Sequence, residues 1–162
     1  MSSSRVEGDF MKLRESLSGI SNFNYLSLNK DIGEELVTIT MDRFDEQKDP
    51  DGDSWTTSIR VAKNGGETLS DKGAAGLKGS IKSVADDKNI AVGTNTIYAA
   101  IHQYGGTIRA SKSKYLKFNI GGFWVNKEQV QIPKRSFLGI NDDDLEVINE
   151  IVQEHIKEHM EK

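Results

Sequence analysis

The sequence predicts an α+β fold: a small, mostly antiparallel sheet with a β-hairpin, packed against a long helix in the N-terminal half and a C-terminal helix. Two apolar stripes at helical spacing point to the helices, Leu28, Ile32, Leu36 and Ile39 near the start and Leu145, Ile148, Val152, Ile156 and Met160 at the end. Strict alternation points to the sheet: Tyr115, Lys117 and Asn119 interleave with Leu116, Phe118 and Ile120. A length of 162 residues with 36% hydrophobic side chains suits one core. The expected organisation is therefore a single domain over 1–162, with residues 1–27 as a loosely attached N-terminal helix.

The elements follow in chain order. Phe10, Leu13 and Leu17 mark a short helix over 7–18, closed by Gly19. The long helix is expected over 30–47, with Asn29 as its N-cap and Asp31 in its first turn. Val37, Met41 and Phe44 widen its stripe. Pro50 and Gly52 stop it in a loop. Residues 53–73 carry no clear pattern, and Asn64 to Thr68 reads as a flexible turn. Leu77, Ile81 and Val84 share one helical face, so a helix is expected over 74–85, weakened by Gly76 and Gly79. Residues 89–93 read as a strand. Thr94 or Asn95 then caps a helix through Gln103 that buries Ile97, Ala100, Ile101 and Tyr104, and Gly105-Gly106 ends it.

The hairpin comes next, with Gly121-Gly122 at its turn and Phe123 to Val125 returning. Residues 128–132 form another strand, ended by Pro133. Phe137 and Leu138 are expected to bury as the chain turns into the last helix. Asn141 caps that helix, and Asp142, Asp143 and Asp144 suit the positive end of its dipole.

Net charge is −4, unevenly spread. Residues 1–53 and 136–162 each carry a net −6. Between them, residues 109–135 hold Arg109, Lys112, Lys114, Lys117, Lys127, Lys134 and Arg135 against Glu128 alone. Such a basic segment suits DNA. It equally suits the acidic face of another copy of the chain. A third reading is a solvated hairpin whose lysines discourage edge pairing. Arg109, Lys112, Lys114, Lys117, Trp124, Lys134 and Arg135 are the candidate subunit or DNA contacts. Trp55 is expected in the core, and Trp124, beside the hairpin tip, against a neighbour.

No arrangement of residues predicts catalysis or a cofactor. His102 lacks a second ligand at metal-binding spacing and reads as structural. His155 and His159 stand four apart, but no hydrolase motif surrounds them. Asp49, Asp51 and Asp53 alternate as in a calcium loop, yet Ser54 replaces the required glycine and Arg60 the closing glutamate. The Gly76 to Ser80 stretch lacks phosphate-loop spacing. There is no cysteine, hence no disulfide or thiolate site. No apolar run approaches the roughly 18–20 residues of a membrane helix, so no membrane partner is expected. The first residues lack the apolar core of a secretory signal, which suggests synthesis in the cytosol.

Four motifs, in order, resemble the phage virion morphogenesis family, the tail completion proteins of Mu-like phages. Arg43-Phe44 precedes a loop with Gln47, Asp49, Pro50, Gly52 and Trp55. Leu77, Ser80 and Ile81 follow. Val92 to Thr94 then precede Tyr98 to Gly106, with its Ile-His-Gln-aromatic-Gly-Gly run. Ile132 to Gly139 supplies Ile-Pro-x-Arg-x-Phe-Leu-Gly, before an acidic-capped helix. The resemblance spans about residues 28–160. Ser136 stands where the family usually has a second proline.

The resemblance implies a non-enzymatic structural protein that completes the tail or the head–tail junction, usually as a ring. Its implied partners are other copies of itself, tail tube and head–tail connector proteins. The implied location is the virion tail or neck, and the host cytoplasm during assembly. The alternative is a neck or channel protein that uses the basic 109–135 hairpin to touch passing DNA.

Overall fold

A computed structural model describes residues 20, 22–70, 76–111, 113–120 and 122–161. The expected helix over 7–18 lies outside them. The fold is α+β. Among the described residues four helices, α1 (Tyr25–Glu46), α2 (Ile59–Asn64), α3 (Ala99–Tyr104) and α4 (Asp142–Met160), accompany six short strands. These are β1 (Lys82–Ala85), β2 (Ile90–Gly93), β3 (Gly106–Arg109), β4 (Leu116–Ile120), β5 (Phe123–Lys127) and β6 (Gln129–Ile132). The strands form three two-stranded ladders rather than one sheet: β1 with β2, β3 with β6, β4 with β5. The described residues fall into two compact units. One takes α1 up to Val37, Ser83–Val92 and the chain from Ile140; the other takes Thr38–Lys82 and Gly93–Gly139.

In the first unit α1 begins five residues earlier than its sequence suggests. Asn24, not Asn29, caps it, since the Asn24 Oδ1 accepts the Ser27 N–H at 3.0 Å. Asn29 lies one turn inside and donates its amide to the Asp86 carbonyl at 2.7 Å, in the β1–β2 turn. That turn is itself tight. The exposed Asp86 carboxylate accepts the Lys88 and Asn89 N–H groups, which hold its pKa below the ordinary carboxylate value. Leu28, Ile32 and Leu36 are buried along α1, and Ile148 and Val152 along α4. Asn141 and Asp144 make a reciprocal capping box at the start of α4. Met160, expected in the stripe, is exposed because the apolar face ends a turn before the helix does.

The second unit is centred on aromatic side chains. Phe44, at the end of α1, meets Trp55 edge-on at 5.2 Å and Phe137 at 5.4 Å, and all three are buried. The chain from Arg135 to Phe137 is buried without belonging to any helix or strand. Its polar backbone groups are therefore met by side chains and by distant backbone. Arg43 Nη1 donates to the carbonyls of Phe137 (3.3 Å) and Gly139 (2.8 Å). Trp55 Nε1 donates to the Ser136 carbonyl at 2.9 Å. The Gln103 amide oxygen accepts the N–H groups of Phe137 and Leu138, each at 3.0 Å, and its nitrogen donates to the Leu138 carbonyl at 2.7 Å. A side chain at Gly139 would collide with Pro50, 2.6 Å from an added Cβ.

Three expectations change along the chain. The helix expected over 74–85 is a 3₁₀ turn, Lys78–Ser80, leading into β1. Leu77 and Ile81 are buried as anticipated, but Val84 sits on the strand and is exposed. Pairing with β2 outweighs a weak helical propensity already lowered by Gly76 and Gly79. The α3 helix starts at Ala99, not at Thr94 or Asn95. Thr94 and Thr96 instead share their hydroxyls with Ser80, at 2.5 and 2.8 Å, which holds this stretch off the helix. Ile97 and Tyr104 are consequently 98% and 76% exposed, and Ala99, not Ala100, is the buried alanine. Two elements had no sequence signal: α2, capped by Ser58, and β3, which pairs antiparallel with β6 from Gly106 opposite Ile132 to Arg109 opposite Gln129.

Replacing Phe137 by Ala should cost about 3–5 kcal/mol, the range for emptying a buried aromatic site. Urea denaturation of the wild type and the variant checks this, and a change below about 1 kcal/mol would contradict the packing described.

Candidate functional site

The basic segment forms a two-stranded ribbon. Strands β3 and β6 make its base. Beyond the Arg109–Gln129 pair the chain continues into β4 and β5, with Leu116 opposite Lys127 and Ile120 opposite Phe123. Gly105 enters the ribbon with φ +70°, and a Cβ there would stand 2.8 Å from the Lys134 nitrogen, so only glycine fits this corner. Among the described residues from Ala100 to Lys134, none is buried.

Alternation divides β4 and β5 into two faces. One carries Leu116, Phe118, Ile120, Phe123 and Val125, with Lys127. The other carries Lys117, Asn119, Trp124 and Asn126. Phe123 is 73% exposed and Trp124 68%. The Lys117 ammonium lies over the Trp124 ring at 5.2 Å, and Lys114 over Tyr115 at the same distance.

Of the candidate contacts, Arg109 ends β3, Lys114 precedes β4, Lys117 lies on β4 and Trp124 on β5, all exposed. Lys134 is exposed at the ribbon's base. Lys112 lies outside the described residues. Arg135 stands apart from the set: it is only 5% exposed, and its Nε donates to the Thr56 carbonyl at 2.7 Å. Its backbone N–H donates to the His102 carbonyl at 2.7 Å. In this structure Arg135 holds the chain together inside the second unit and is not presented to a partner. The sequence pattern missed this because a basic residue beside a proline turn looks like its exposed neighbour Lys134.

The remaining polar motifs have local partners. His102 packs edge-on to Tyr98 at 6.0 Å. Its Nδ1 is buried with no hydrogen-bond partner among the described residues. Desolvation first, and the Arg135 charge second, push its pKa below the ordinary 6.5. His155 Nε2 lies 2.7 Å from the Asp31 carboxylate, and His159 packs on Phe23 at 5.6 Å, so the two histidines turn to separate partners. Asp49 Oδ1 accepts the N–H groups of Asp51 (3.0 Å) and Asp53 (2.9 Å), which makes the loop an Asp-stabilised turn. No helix among the described residues is long and apolar enough to cross a membrane.

The motif order agrees with the outcome of comparison with family models. Residues 4–157 match the model of the phage virion morphogenesis family. The chain belongs to that family. Its role is accordingly a structural one in the assembly of a phage virion. Comparison with curated proteins and with solved structures gives no match.

His102 yields a pH signature. Its folded-state pKa is lowered, so below about pH 6.5 the unfolded chain binds a proton that the folded chain refuses. Stability should fall as pH drops through that region. The His102→Gln variant should lose this part of the slope, read from urea midpoints at a series of pH values. An unchanged slope would mean the imidazole is not desolvated.

Proposed function

We propose that this protein completes the tail at its head-proximal end or at the neck, and that it does so as a ring of identical subunits. Membership of the virion morphogenesis family supports an assembly role. The observation that carries the ring is the polarised charge: a basic ribbon segment between two acidic stretches of chain. Unlike surfaces on one subunit suit a head-to-tail contact, which closes into a ring when the rotation between neighbours permits. The work is steric and electrostatic, with no reactive centre required.

A second reading has its own support. Exposed Trp124 and Tyr115, each beside a lysine, also suit contact with DNA passing through a channel. Replacing Lys112, Lys114 and Lys117 by Glu separates the two. Lost duplex binding with intact oligomers supports DNA; lost oligomers support subunit contact.

Light scattering against ionic strength tests the ring. Assemblies held by exposed charge should loosen as salt rises through the physiological range, where the screening length falls to about 8 Å. A ring indifferent to salt would refute charge pairing.

A further inference from the structure

We infer that the Lys117–Trp124 face of the β4–β5 hairpin docks on the glutamate row of α4 in a neighbouring copy. The inference rests on the self-assembly reading above and names the two surfaces that meet.

The hairpin is built as something incomplete. A lone two-stranded hairpin is marginal in water, and stability comes from a third strand or a packed face. Here none of the described residues of β4 and β5 is buried, and Trp124, on the face with Lys117, is 68% exposed. Large exposed aromatics are enriched at interface centres. Lys114, Lys117 and Lys127 give this stretch only positive charge.

The complementary surface is on α4. Glu146, Glu150, Glu154 and Glu158 are exposed at intervals of four, so they form one row on the helix. Like charges at that spacing disfavour the helix. None of the four forms an ion pair among the described residues. Three acids of α1 differ, because Asp31 meets His155, Asp45 meets Lys78 and Glu46 meets Lys48. The row runs for about 18 Å at 1.5 Å per residue. A five-residue strand runs for about 17 Å. The lengths match, the charges are opposite, and docking removes the helix's self-repulsion. A second copy fits better than DNA because duplex binding rests on many phosphate contacts, while the hairpin and the residues leading into it offer three lysines on a chain of net charge −4.

A charge swap tests the inference on the full chain, with circular dichroism to verify folding. Variant one carries Lys114→Glu and Lys117→Glu; variant two carries Glu150→Lys and Glu154→Lys. Sedimentation at low ionic strength should show self-association of the wild type, weakened about tenfold or more in each variant alone. An equimolar mixture of the two should regain wild-type association, since each reversed hairpin then meets a reversed row. Trp124→Ala should also weaken association at unchanged net charge. If the wild type assembles but neither variant is weakened, or the mixture stays apart, the hairpin–helix contact is wrong while the ring stands. Lost duplex binding in variant one with unaltered self-association also overturns the contact. A wild type that remains monomeric up to millimolar concentration overturns the contact and the ring together.

Discussion

The second unit depends on satisfying a buried stretch of chain that has no regular secondary structure. Arg135, Ser136 and Phe137 are buried, yet neither a helix nor a ladder supplies their hydrogen bonds. Each buried amide or carbonyl left unpaired would cost about 1–3 kcal/mol. The partners come from far along the chain: Arg43 from α1, Trp55 from the loop after it, and Gln103 from α3. These three polar side chains and the Phe44–Trp55–Phe137 cluster hold one another in place. Loss of any one exposes the others to an unmet need.

That arrangement separates a rigid part from an available one. Polar clamps concentrate between residues 43 and 56 and between 102 and 139. The ribbon leaves from Gly105 and returns at Pro133, so its two ends are tied to the clamped segment while its body carries exposed aromatics and lysines.

Much of this was legible in the residues. Both long helices, the hairpin, the strand before Pro133, the burial of Trp55 and Phe137 and the family itself follow from periodicity, turn chemistry and motif order. Local patterns failed where distant partners decided. The helix expected over 74–85 became a strand because β2 lies ready to pair with it. The stripe Ile97–Ile101–Tyr104 looked like core, and the fold leaves most of it bare. Arg135 looked like a surface charge, and a carbonyl on Thr56 draws it inside. Gln103, whose side chain makes three hydrogen bonds to the buried segment, has no sequence signature at all beyond its place in the Ile-His-Gln run.

The sequence alone determined the α+β class, the ends of the long helices to within a few residues and the segregation of charge, because these depend on neighbours within a few positions. Only the tertiary structure decided that Val84, Ile97 and Tyr104 stay exposed and that Arg135 is buried. Those outcomes depend on where segments dozens of residues apart come to lie, and a hydrogen bond from Arg43 to Gly139 leaves no periodic trace in either stretch.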